Sequence, residues 1–108
     1  MARIQAIVAD LMLGSRVTET LHAAGHDVEL ASSIGAQGEA DVIVADLDTT
    51  DPADLAALGP PVLGFYQHTD VDTKRAADAA GIDLAVPRSR LVREMPELVA
   101  RLAGGNSA

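Results

Sequence analysis

The sequence predicts a doubly wound α/β domain, with five parallel strands in one sheet and helices over both faces. Three observations carry that prediction. Short apolar, β-branched runs recur along the chain, and glycines and prolines separate them. Between the runs lie stretches whose apolar residues fall at three- and four-residue spacing, the mark of amphipathic helices. Strand–helix alternation with apolar strands implies a parallel sheet covered on both sides.

Ile4 to Ala9 is the first strand, ended by Asp10. Ser15 to Ala24 places Val17, Leu21 and Ala24 at helical spacing, and Gly25 is suited to close that helix. Asp27 to Ala31 alternates, with Val28 and Leu30 apolar, as a half-exposed strand would. Asp41 to Ala45 is the third strand and runs into Asp46. The nine residues between these two strands, Ser32 to Ala40, are too few for an ordinary parallel crossover. A loop or a single helical turn is expected there, so that the domain's second helix is short or absent. Asp51-Pro52-Ala53-Asp54 puts caps and a first-turn proline ahead of Leu55 and Leu58, predicting a short helix that Gly59-Pro60-Pro61 stops. Val62 to Tyr66 is the fourth strand, Asp70 to Ala80 a helix ended by Gly81, and Leu84 to Val86 the fifth strand. Ser89 to Leu102 is the last helix, with Leu91, Val92, Met95, Leu98, Val99 and Leu102 on one stripe. Pro96 inside that stripe implies a kink, or a later helix start preceded by a turn over Arg90 to Met95. The domain is expected over residues 1–103, and Gly104 to Ala108 as a disordered tail.

Composition excludes several function classes. A chain of 108 residues holds one core. With one Phe, one Tyr and no Trp that core is aliphatic, and the rings that stack on single-stranded bases are missing. The absence of Cys removes disulfides, thiolate metal sites and a Cys nucleophile, and makes the cytoplasm the expected location. No apolar run is long enough to span a bilayer, and Met1 to Gln5 lacks the basic head of a signal peptide, so no membrane role is expected. The net charge of −8 comes from residues 1–54, where ten acids face only Arg3 and Arg16. Residues 55–108 balance six acids with six bases. Such a chain repels a phosphate backbone, which argues against a nucleic-acid partner. Arg88, Arg90 and Arg93 form a local basic cluster, either a solvated helix start or a contact for an anion or a partner.

In an open parallel sheet, ligands gather beyond the carboxyl ends of the strands. Those ends supply Asp10, Asp46 with Asp48, Tyr66 with Gln67 and His68, and Pro87-Arg88-Ser89-Arg90. Ser15 and Arg16, expected at the start of the first helix, face the same rim. Asp10 and Asp46 are the carboxylates that would seat Mg²⁺ if any ion binds. Ser15, Arg16, Arg88 and Ser89 are candidates for holding a small anion. Asp48 and Asp51 are expected to cap the short helix. His22 and His26 have a zinc-compatible spacing, but Gly25 falls between them and no third ligand is evident. His68 reads as a solvated loop residue. No relay for a Ser nucleophile is visible.

Asp41-Val42-Ile43-Val44-Ala45-Asp46-Leu47, Ile7-Val8-Ala9-Asp10 and the ungapped stretch Pro61 to Arg88, with its Ala80-Gly81 pair, resemble the receiver domain of bacterial response regulators. The resemblance implies a flavodoxin-like strand order of 2-1-3-4-5 and places the phosphoacceptor position at Asp46. It also exposes departures. The second acid of the receiver's metal site falls on Leu11, the hydroxyl position on Tyr66, and the lysine position on Arg88, with the neighbouring proline moved to Pro87. This is the pattern of a pseudo-receiver, similar to short single-domain bacterial proteins of that kind. Arg88 is always charged and forks onto carboxylates, so Asp46 is expected to pair with Arg88 or Arg16, or to cap a backbone turn.

The favoured expectation is a non-catalytic signalling or protein-interaction module with a degenerate phosphorylation site and no required cofactor. The resemblance implies that the receiver face of fourth helix, fifth strand and fifth helix meets a protein partner or a second copy. On this chain that face would carry Tyr66, Lys74, Arg75, Arg90 and Arg93 beside Arg88. The alternatives are a stand-alone response regulator phosphorylated on Asp46 and a sensor of a small anionic ligand.

Overall fold

The computed structural model describes residues 2–32, 34, 40–67 and 71–104, and of Val71 the backbone only. Its elements are β1 (Arg3–Ile7), α1 (Leu11–Ala23), β2 (Asp27–Ala31), β3 (Val42–Asp46), α2 (Pro52–Ala56), β4 (Val62–Tyr66), α3 (Val71–Ala80), β5 (Leu84–Pro87) and α4 (Arg88–Ala103). The strands form one parallel sheet in the order β2-β1-β3-β4-β5, as expected. Strand order therefore reverses between β1 and β3, which opens a crevice beyond their carboxyl ends.

Alternation along each strand sorts the core into two layers. Ile4, Ala6, Val44, Leu63 and Phe65 face α1 and α4 and pack with Val17, Leu21, Leu91, Met95, Leu98 and Val99. Ile7, Ile43, Ala45, Val62 and Tyr66 face the other way and pack with Leu55, Ala77 and Ile82 from under α2 and α3. Two helices end where a glycine was expected to end them. Gly25 (φ 95°) lets its own N–H reach the His22 carbonyl at 3.0 Å and the His26 N–H reach that of Leu21 at 3.1 Å. Gly81 (φ 91°) repeats the motif, with Ile82 bonded to Ala77 at 3.0 Å. Glycine meets no Cβ penalty at such positive φ, and the paired bonds satisfy the last carbonyls of the helix.

Some boundaries move, each for a physical reason. β1 ends at Ile7, before the expected Ala9, and α1 begins at Leu11, before the expected Ser15. The Asp10 carboxylate supplies that early start: its Oδ1 accepts from the Met12 and Leu13 N–H groups at 3.0 and 3.2 Å. Pro96 does kink α4, since Glu94 has φ −121° and ψ 15°, outside helical geometry. The proline ring crowds the carbonyl four residues back, and its missing N–H removes one rung. β5 passes directly into α4, with Pro87 at the N-cap and no side chain capping the helix. The expected loop or turn over Ser32 to Ala40 lies mostly outside the described residues; no helix occurs there among those described. The tail beyond Gly104 also lies outside them.

Two long-range carboxylates tie strand starts together. The Asp41 Oδ2 accepts from the Arg3 N–H at 2.8 Å, and the Asp83 Oδ2 from that of Val62 at 2.9 Å. Gly64 makes room for a close approach: a Cβ there would lie 2.7–2.8 Å from the Leu47 side chain. Gln5 is the exception to an apolar interior. Only 5 % exposed, it has no hydrogen-bond partner for its carboxamide among the described residues. Leaving a buried amide unpaired costs about 1–3 kcal/mol. Among the described residues no helix is long and apolar enough to cross a membrane.

Candidate functional site

The rim beyond β1 and β3 gathers Asp10, Asp46 and Arg88, three of the groups expected there. Each has a specific local partner. Asp10 uses one carboxylate oxygen to cap α1 and turns the other, Oδ2, to the Arg88 guanidinium at 3.6 Å. Arg88 is the first residue of α4, where a helix N-terminus disfavours a cation; the Asp10 charge offsets that. The expected pair between Asp46 and Arg88 or Arg16 does not form. Among the described residues Asp46 makes no ion pair, and its Oδ1 accepts from the Asp48 N–H at 2.8 Å, closing the turn after β3. Arg88 lies near enough to act on Asp46 through space only. Burial pushes the Asp46 carboxyl above its usual range; the Asp48 and Asp10 charges add to that, while the Asp48 N–H and the Arg88 charge oppose it.

Asp48 is placed differently from the expectation. Its Oδ2 accepts from the Gln67 N–H at 2.8 Å, stitching the turn after β3 to the end of β4. Asp51 alone provides the side-chain cap of α2, accepting from the Ala53 N–H at 2.9 Å. No spacing rule links Asp48 to Gln67, because only the neighbouring of β3 and β4 brings them together.

Leu11, at the position of the receiver's second acid, is 77 % exposed, and Met12 beside it 85 %. Neither can ligate a hard cation. Mg²⁺ requires near-octahedral oxygens. Here Leu11 offers none, one Asp10 oxygen caps α1 while the other faces Arg88 at 3.6 Å, and Asp46 and Asp48 each keep one carboxylate oxygen without a hydrogen bond among the described residues. Among the described residues no cluster of three His, Asp or Glu side chains could hold a metal. His22 and His26 are separated by the Gly25 turn, and the His26 Nδ1 accepts from the Ala2 N–H at 3.1 Å. His68 lies outside the described residues.

The anion candidates stand on two elements, Ser15 and Arg16 within α1 and Arg88 and Ser89 at the start of α4. With α1 starting at Leu11, Ser15 and Arg16 fall in its second turn, where backbone N–H groups are spent on the helix. Ser15 instead lines the groove between α1 and β2 with Thr18, Val28 and Leu30. No hydrogen bond or ion pair joins Ser15 or Arg16 to Arg88 or Ser89 among the described residues.

The expected interaction face is likewise altered. Tyr66 is only 6 % exposed and belongs to the core layer under α2 and α3, so it is not a surface group. Lys74 pairs with Asp78 at 3.0 Å, and Glu94 sits between Arg90 at 3.4 Å and Arg93 at 3.3 Å. Glu94 stands at the Pro96 kink, which a helical wheel drawn through the whole stripe does not register. Arg75 is exposed, with no ion pair among the described residues.

No protein-family model matches the chain, and no curated protein matches it. Solved structures do. The receiver domain of the Francisella response regulator 1452 superposes with a TM-score of 0.83 at 16 % identity, covering 98 % of this chain and 99 % of that one. The chemotaxis response regulator CheY4 of Vibrio cholerae gives 0.80 at 20 % identity over 94 % and 98 %. A Burkholderia pseudomallei response regulator, solved with a phosphorylated aspartic acid, calcium ion and citrate, gives 0.77 at 17 % identity over 99 % and 69 %. At such identities the likeness defines a fold. The chain has the receiver-domain fold, with its sheet order and a short α2.

Proposed function

We propose that this chain is a receiver-fold signalling module that works by binding a protein partner, without catalysis and without phosphoryl transfer at Asp46. What supports this reading is the state of Asp10. Phosphoryl transfer to a carboxylate needs a cation to offset charge on the equatorial oxygens. The acid that would hold that cation is instead divided between the α1 cap and Arg88, and its neighbour is leucine. The guanidinium supplies a fixed positive charge at the rim. The partner surface is the one formed by α3, β5 and α4, where Arg75, Arg90 and Arg93 give an otherwise acidic chain its basic side; an acidic protein or the acidic half of a second copy fits it.

The test is direct. The protein is incubated with acetyl phosphate and Mg²⁺ and its intact mass is measured. No Asp46-dependent mass gain is expected, whereas a phosphate-sized gain that disappears in Asp46→Asn would establish a working response regulator instead. That second reading is favoured by one observation: Asp46 ends β3 at the crevice with one oxygen uncommitted among the described residues. The partner surface is tested separately by Arg75→Glu, Arg90→Glu and Arg93→Glu together, which should abolish co-purifying partners or shift the oligomeric state in light scattering.

A further inference from the structure

A cavity of about 260 Å³ lies over the paired amino-terminal halves of β1 and β2, at the opposite end of these strands from the Asp10 rim. Arg3, Gln5, Asp27 and Glu29 line it together with Ile4, Val28 and Ala40, so that polar groups are set into a partly apolar wall. Parallel register sets Arg3 beside Asp27 and Gln5 beside Glu29. The two-residue period of the strands turns all four away from the layer that holds Ile4 and Val28. Two features set this place apart from an ordinary polar surface. The Gln5 carboxamide is buried yet unpartnered among the described residues. Arg3 and Asp27, opposite in charge and facing in register, close no ion pair, and neither does Glu29 with any described residue.

The cavity thus presents one guanidinium, two carboxylates and an amide that can both donate and accept. We propose that it binds a small zwitterion of the amino-acid class, preferring one with a basic side chain. The ammonium group sits between Asp27 and Glu29, the carboxylate takes the Arg3 fork, and the Gln5 amide bonds to the ligand's polar atoms. A basic side chain follows from the lining charge, since two acids and one base leave a single negative charge for the ligand to cancel. The volume falls below the ~300–1,000 Å³ of drug-sized pockets and suits one small molecule. This site is independent of the reading of the Asp46 rim.

The full chain, labelled with ¹⁵N, is titrated with L-lysine, glycine, n-butylamine and acetate. Saturable shifts are expected at the Gln5 side-chain amide and along 27–29, with L-lysine binding at least ~10-fold more tightly than either n-butylamine or acetate. Gln5→Leu should weaken L-lysine binding roughly 5–10-fold while raising Tm, because it removes an unpaired buried amide; the higher Tm shows that the loss is not unfolding. Asp27→Asn with Glu29→Gln should weaken binding about 10-fold or more. The proposal is overturned if L-lysine gives no saturable shift, if n-butylamine binds as tightly, or if Gln5→Leu binds L-lysine like the parent protein.

Discussion

The layer beneath α1 and α4 and the layer beneath α2 and α3 share one sheet and differ, among the described residues, in the helices that cover them. The first is covered by helices of 13 and 16 residues, and apolar side chains from all five strands reach it. The second is covered by helices of 5 and 10 residues, and its apolar cluster includes no residue of β2. On that side β2 shows Asp27 and Glu29, and the start of β1 shows Arg3 and Gln5. A sheet face gains about 25 cal/mol per Å² only where something apolar covers it. Among the described residues no helix lies over the starts of β1 and β2 on that side, where the strands carry polar side chains and line the cavity.

The largest test of this contrast uses two leucines that are both fully buried, Leu21 under α1 and Leu55 under α2. Leu21→Ala should lower unfolding free energy by about 3–4 kcal/mol in urea titrations, and Leu55→Ala by about 2–3 kcal/mol. A helix of one and a half turns collapses more readily into the vacated space. A larger loss at Leu55 would break the contrast.

Next come the caps. Asp10→Ala removes two hydrogen bonds and an ion pair and should cost about 1–2 kcal/mol, with faster amide exchange throughout α1. Asp51→Ala removes one bond and should cost about 1 kcal/mol or less, with exchange rising only around α2.

The smallest effect concerns Asp46 and depends on pH. Its folded carboxyl titrates above the unfolded one, so between those two values the folded state binds more protons and stability falls as pH rises. At neutral pH the buried charge is therefore a net cost. Asp46→Asn keeps an oxygen to accept from Asp48 and should raise Tm by roughly 1–3 °C at pH 7, an advantage that shrinks as pH falls through the raised value. An unchanged difference at acid pH would place the effect elsewhere.

Much of the fold was legible because its signals are local. Apolar runs marked the strands, Gly25 and Gly81 marked helix ends, and Pro96 announced either a kink or a later helix start, of which the kink is what forms. The early start of α1 was missed because Leu11 and Met12 carry no periodic signal; the helix starts there on the strength of the Asp10 cap. The site was legible as a set of residue types and much less as a set of bonds. Asp10, Asp46 and Arg88 could be assigned to one rim by topology, yet the expected Asp46–Arg88 pair is an Asp10–Arg88 pair. Gln5 inside an apolar strand passed as an ordinary core position, since nothing in its neighbours along the chain reveals an unpaired amide.

The amino-acid order alone was enough to specify five parallel strands, the alternation that makes two layers, and a strand order resembling that of receivers. The strands and the two layers follow from periodicity and punctuation, which act over a few residues, whereas the strand order was implied only by the resemblance. Only the folded chain decided which carboxylate meets the guanidinium, which aspartate spans β3 and β4, and where a polar cavity stays open. Such choices turn on distances of a few ångströms between segments far apart in sequence, and packing sets those distances.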